Sequence, residues 1–246
     1  MHMSLEVTPS EVKELKQLVH RPRKYVANQI GNYVIADTVN TAGCSQLYPM
    51  LANILQGTDE FQRVGDRVTP ARSRTHFTMY LDAANNFTAD IYVRLIAVDI
   101  KAVKAYSSAG GYPGRDLLNK GDGTCIDPPP GAGGTYNTLA EYSKMPINTK
   151  AYSVHHDKVY RFCKNQGQLT GDGTSTTSQV IAHPSQHHVI ITHKTPAQLK
   201  YDNAVQNQPN NYFPVWCAYA WTSTGAPFSG GFVNIAVRTE MSYTDA

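Results

Sequence analysis

Nine histidines, four cysteines and a cluster of arginines are the side chains of this sequence able to do chemistry, and their spacing limits what chemistry that is. His155-His156 and His187-His188 are adjacent pairs. Neighbours on a strand point to opposite faces, so each pair offers one ligand to any single site. His183 and His187 have i, i+4 spacing, but Pro184 follows His183 and argues against a helix there. A cupin-like metal site needs His and carboxylate ligands converging from several strands, which spacing neither demands nor excludes. Cys163 or Cys217 beside a histidine would make a nucleophile pair, yet no Gly-x-Ser-x-Gly turn or comparable signature accompanies them. Cys44, Cys125, Cys163 and Cys217 are far apart with no C-x-x-C pair, so free thiols are expected rather than a disulfide or zinc framework. The histidines read as structural or surface residues. The expectation is a protein with no catalytic residue, no metal and no cofactor, hence not an enzyme.

The stronger signal is cationic. Arg21, Arg23, Lys24, Arg63, Arg67, Arg72 and Arg74 all fall in the first third of the chain, with His76 close behind. Nucleic-acid binding needs Lys and Arg to neutralise phosphate and gains from aromatic faces on which bases stack. Tyr25, Phe61, Phe77 and Tyr80 are interleaved with these charges. The seven cations are therefore candidate nucleic-acid contacts, against the plainer reading of a solvated strand face.

The elements that position them are strands. From Val68 to Leu81 the chain alternates Val68, Ala71, Ser73, Thr75, Phe77 and Met79 with Thr69, Arg72, Arg74, His76, Thr78 and Tyr80. Period-2 spacing rich in β-branched and aromatic residues predicts a strand with a dry face and a wet face, Arg72, Arg74 and His76 lying on the wet one. Upstream, Gln56-Gly57-Thr58-Asp59 reads as a turn. Thr8-Pro9-Ser10-Glu11 is a capping box, and Val12, Leu15, Leu18 and Val19 recur at helical spacing. A short amphipathic helix is predicted over Pro9 to His20, ending in the basic run that holds Arg21, Arg23 and Lys24. Met1-His2-Met3 reads as a cloning remnant.

Further strands are predicted over Tyr25–Thr38 (with Gly31 as a bulge), Ile91–Ile100, Ala151–Cys163 (with a turn-like break near Asp157), His187–Lys194, Tyr212–Thr222 and Gly231–Tyr243. A one- or two-turn helix is predicted from Thr138 to about Lys144. Ala105–Thr135 and Lys164–Ser178 are long Gly-, Pro- and Ser/Thr-rich loops without a phosphate-loop signature, and a loop as long as the first usually indicates function or disorder. Strands joined by decorated loops, without alternating helices, predict a single antiparallel β-sandwich.

Composition bounds the rest. Charged residues make up 17% of the chain, below the globular norm of about 25%, and fifteen tyrosines accompany seven Phe and two Trp. Aromatics with a polar tip suit interfaces that are dry at one end and wet at the other. A net charge of +3 does not by itself indicate nucleic acid. No apolar run approaches the roughly 18–20 residues that span a bilayer, so no membrane insertion is expected.

The order of several short motifs resembles the single-jelly-roll coat proteins of small circular single-stranded-DNA viruses, the circovirus-like group. Gln56-Gly57-Thr58 followed by Arg63-Val64-Gly65-Asp66-Arg67-Val68 is similar to that family's entry into a long strand. Val154-His155-His156-Asp157-Lys158-Val159-Tyr160 is similar to its mid-chain strand. The aromatic strand Val215 to Trp221 and the ending Tyr243-Thr244-Asp245-Ala246 complete the likeness, which covers Tyr25 to Ala246.

The resemblance implies an eight-stranded antiparallel jelly roll over residues 25–246, with residues 1–24 as an N-terminal helix and basic segment. It implies a homo-oligomer, an icosahedral shell around a single-stranded DNA genome, residing in the virion and, during assembly, the host nucleus. Members of the family usually begin with a long Arg/Lys-rich arm, whereas these residues open with a mixed-charge helix; either the arm has been removed or genome packaging relies on the interior surface. Two other readings fit a jelly roll: a carbohydrate- or receptor-binding module, and a cupin-like metal-dependent enzyme.

Overall fold

In the computed structural model, residues 23–35, 46–81, 90–101, 112–113, 116–119, 121, 125–126, 143–162, 186–223 and 233–245 are described. Among them the chain is all β, as its alternating apolar pattern requires. The strands are β1 (Lys24–Ile35), β2 (Gln46–Pro49), β3 (Arg67–Leu81), β4 (Ile91–Ile100), β5 (Tyr112–Pro113), β6 (Leu118–Asn119), β7 (Cys125–Ile126), β8 (Tyr152–Phe162), β9 (Gln186–Thr192), β10 (Leu199–Lys200), β11 (Pro214–Thr222) and β12 (Val233–Asp245). The predicted helix over Pro9–His20 lies outside the described residues. So do most of Thr138–Lys144 and of the loops 105–135 and 164–178; Ser143 and Lys144 form a turn.

Two antiparallel sheets carry the fold. The first runs β1-β12-β3, with β9 and then β10 on the far edge of β3; the second runs β5-β2-β11-β4-β8, and β6 pairs with β7 separately. The inner faces of the two sheets meet in one core. Phe77 and Met79 of β3, Val233, Ile235 and Val237 of β12 and Val189 and Ile191 of β9 pack against Val93 and Leu95 of β4 and Trp216 and Ala218 of β11. Trp216 has Tyr33, Tyr48 and Phe77 around it at ring-centroid distances of 5.0, 5.4 and 5.3 Å. Each such aromatic pair is worth about 0.5–1.5 kcal/mol beyond the area it buries.

The sheets differ in what covers their outer faces. On β4 and β11 the other parity of residues (Ile96, Val98, Val215, Cys217, Tyr219) is buried too, under Leu117, Leu118 and Ile147 from the loops. That is why β4 reads as a continuous apolar run rather than an alternation. Arg94 lies on the same face, 3% exposed. It donates through Nε and Nη2 to the Asp157 carboxylate at 2.6 and 2.7 Å and through Nη1 to the Tyr219 hydroxyl at 3.0 Å. The first sheet has no comparable cover over β3 and β12 among the described residues, and its outward side chains are mostly polar or charged, with Ile190 of β9, 50% exposed, among the exceptions.

Irregularities fall where the sequence breaks the ladder. Strand β1 shifts register between Gln29 and Gly31, the bulge that Gly31 predicts. Strand β3 shifts against β12 between Ser242 and Tyr243, which pair with Arg72 and Pro70. Pro70 has no N–H to donate, so Ala71 loops out of the ladder and is exposed instead of facing the core as the alternation predicts. Strand β8 runs unbroken through Asp157, where a turn-like break is expected, because Arg94 ties that carboxylate to the neighbouring strand. Its bulge lies at His155, opposite the step from Ala97 to Val98. Cys217 is buried and forms no disulfide, as expected; the side chains of the other cysteines lie outside the described residues.

Candidate nucleic-acid interface

The outer face of the first sheet is built by the alternation of β3. Ser73, Thr75, Phe77 and Met79 are buried, which turns Arg72, Arg74, His76, Thr78 and Tyr80 outward. Register brings partners from both sides. On β12, Ser242 pairs with Arg72, Glu240 with Arg74 and Arg238 with His76. On β9, Thr192 pairs with Arg74, Ile190 with His76 and His188 with Thr78. The result is a face with three arginines, two histidines and one carboxylate at its centre.

Glu240 organises that face. The Tyr25 hydroxyl donates to its Oε2 at 3.0 Å, and His76 Nε2 stands 3.4 Å from its Oε1. Burial works against its ionisation, but the Tyr25 hydrogen bond, the approach of the His76 ring and the charge of Arg74 outweigh that and hold the carboxyl below its usual range. The bond to Glu240 in turn raises the Tyr25 phenol. The Thr78 hydroxyl and His188 Nδ1 share a hydrogen bond at 3.1 Å, and the His76 and His188 rings stand 5.8 Å apart. Shallow hollows lie on either side of Glu240, one among Arg23, Tyr25, Arg72 and Ser242, the other among His76, Thr78, His188 and Arg238. Single exposed charge pairs contribute only about 0.2–1 kcal/mol each. Toward a polyanion, a face of this kind would act by the sum of its charges, through counterion release, rather than through one dominant contact.

The seven cations singled out in the sequence are not gathered into one site. Arg72 and Arg74 are on this face, and Arg23 and Lys24 sit at its β1 edge. The Lys24 ammonium is already held by the Gln62 carbonyl at 2.6 Å and the Asp245 carboxylate at 2.8 Å. Arg67 is exposed at the start of β3, opposite Lys200. Arg63 is 0% exposed and cannot meet a phosphate in this fold. It donates to the carbonyls of Gly65, Asn203 and Gln206 at 2.5, 2.6 and 3.1 Å and to Gln56 Oε1 at 3.2 Å, and it covers the Tyr201 ring at 4.2 Å. Arg21 lies outside the described residues.

Sequence reading missed Arg238, His188 and Glu240. Arg238 and Glu240 were detectable as wet-face residues of the alternation Val233 to Met241, but only pairing with β3 reveals that they join Arg72, Arg74 and His76. The other histidines stand elsewhere. His155 and His193 approach edge to face at 5.9 Å inside the sandwich margin, and His187 packs on Phe162 at 4.7 Å. Among the described residues no group of three His, Cys, Asp or Glu side chains is placed to hold a metal.

No family model and no curated protein matches the chain. Among solved structures, 98% of it is similar to 94% of a chain of Desmodium yellow mottle tymovirus, at 11% identity and a TM-score of 0.29. A likeness at that score carries no argument about function.

Proposed function

We propose that this chain is the coat subunit of a small virus, a non-enzymatic structural protein of the virion. Its copies assemble into an icosahedral shell around a single-stranded DNA genome. The observation that carries the reading is the asymmetry of the sandwich among the described residues: one sheet is covered on both faces, while the other has no such cover over its cationic outer face. A wall between a polyanion and neighbouring subunits needs that sidedness. The order of the eight principal strands supports the jelly-roll form of the reading. Strands β1-β12-β3-β9 face β2-β11-β4-β8, so each sheet mixes early and late strands as two nested Greek keys do. Jelly rolls also serve lectins and cupins, so strand order alone does not choose among functions. The charge pattern and the resemblance noted in the sequence favour the coat. The host nucleus as the site of assembly belongs to the same proposal.

Negative-stain microscopy of the purified protein tests it, and uniform closed particles are the expected result. A species that stays monomeric across protein concentration and salt, with or without single-stranded DNA, overturns the proposal.

A further inference from the structure

At one end of the sandwich, two loops expose apolar side chains that the fold has no use for. Leu55, Phe61 and Val64 precede β3, and Val205 follows β10; they are 53%, 57%, 64% and 89% exposed. Loose loops often expose such residues, but these loops are tightly bonded. Buried Arg63 joins them through the carbonyls of Asn203 and Gln206. The Tyr243 hydroxyl donates to the Phe61 carbonyl at 3.0 Å, and the Val64 N–H donates to Asp245 Oδ1 at 3.1 Å. Gln62 Nε2 donates to Asp59 Oδ2 at 2.8 Å. Apolar groups held out on a rigid frame bind a partner with little ordering cost. Around them stand exposed carboxylates: Asp59, Glu60, Asp66 and Asp202. The cations near them are spoken for or stand further off: Arg63 is buried, Lys24 is bonded to the Gln62 carbonyl and to Asp245, and Arg67 and Lys200 are the next along the chain.

The same chain carries the complementary surface. Strand β8 is an edge strand of the second sheet, and it exposes Val154 and Val159 at 46% each. Exposed lysines stand on the segment leading into β8, Lys144 and Lys150; Lys158 turns to the other face of the strand, since it pairs with Leu95 while Val154 and Val159 pair with Val98 and Arg94. Asp157, between the two valines, is already held by Arg94. One surface is apolar with an acidic rim, the other apolar with a basic rim, on different sides of the subunit.

We infer that the Arg63-braced tip docks on the β8 edge of a second copy of this chain. Because different patches meet, the contact is heterologous: each subunit uses its tip on one neighbour and its edge on another, as closed rings require. This rests on the coat-subunit reading and supplies one of its subunit contacts.

Sedimentation velocity of designed variants tests it, with circular-dichroism melts confirming that each is folded. F61S/V205S removes mostly exposed apolar area, so it is expected to leave the protein folded with a small shift of the melt and weaken assembly by about tenfold or more. E60K/D202K is expected to weaken assembly similarly, and the fourfold variant E60K/D202K/K144E/K150E to restore it, since the rims are exchanged together. Assembly of F61S/V205S at wild-type concentration overturns the contact, as does a folded fourfold variant no better than E60K/D202K. If the wild-type chain itself never assembles, the coat reading and this contact fall together; if it assembles and the variants do too, only the contact falls.

Discussion

Replacing Arg63 with methionine separates a brace from a phosphate contact. Methionine keeps the length and the apolar packing over Tyr201 but removes every hydrogen bond the guanidinium makes. Three of those go to backbone carbonyls, at 2.5, 2.6 and 3.1 Å. A hydrogen bond from a charged donor contributes about 1.5–3 kcal/mol net, but these loops border solvent, so water can re-enter and rehydrate part of the freed carbonyls. The Asp66 partner is 63% exposed and adds little. The expected loss is about 3–5 kcal/mol, comparable to breaking a buried ion pair. In a chain of this size that lowers Tm by roughly 10 °C. Urea titration of the dispersed subunit measures the loss, and the salt dependence of single-stranded DNA affinity serves as the second readout. The affinity slope is expected to stay at the wild-type value. A loss under about 1 kcal/mol would show that the loops hold without Arg63. A slope reduced by about one phosphate would place the side chain on DNA rather than in the interior.

Other substitutions act on the bare face and the sandwich margin. R72Q and R74Q are each expected to reduce the slope of log affinity against log salt by about 0.7 for single-stranded DNA, with melts within about 0.5 kcal/mol of wild type; an unchanged slope would assign both arginines to subunit contacts. E240Q removes the face's central negative charge and is expected to tighten oligonucleotide binding several-fold at low salt, measured by fluorescence anisotropy; weaker binding would refute its role as a counter-charge. His193 sets a pH dependence. Burial lowers its pKa from 6.5 to about 3, with the nearby His155 acting in the same direction. Its Nε2 meets the Thr75 hydroxyl at 2.8 Å, and that hydroxyl also bonds the Met50 carbonyl at 2.7 Å. The unfolded chain therefore takes up a proton near pH 6.5 that the folded chain refuses, so stability falls as pH drops below 6.5 and continues falling toward 3. By pH 5 the loss from this group is about 2 kcal/mol. Melts from pH 7.5 to 5.0 should show it in wild type and show it blunted in H193N; parallel curves would assign the acid sensitivity to other groups.

How these side chains come together separates local from tertiary information. The all-β class, the alternation of β3 and the outward placement of Arg72, Arg74 and His76 follow from residue type and period-2 spacing alone. Steric geometry puts alternate side chains on opposite faces, whatever the strand pairs with. The bulge at Gly31 was equally legible. The alternation failed at Ala71, where Pro70 interrupts the ladder, and the break read at Asp157 failed because its cause is a cross-strand partner, Arg94, distant in sequence.

Register made the face what it is. Glu240 and Arg238 reach β3 only through the antiparallel pairing of β12, a contact between residues more than half the chain apart. Neither is marked in the sequence as belonging with Arg74. Arg63 shows the reverse error. By composition it belongs with the other cations, and the return of the 201–207 loop supplies two of the three carbonyls that draw it inside. Local chemistry chose which residues face outward on a strand; long-range pairing decided which of them meet, and which arginine serves the fold rather than a ligand.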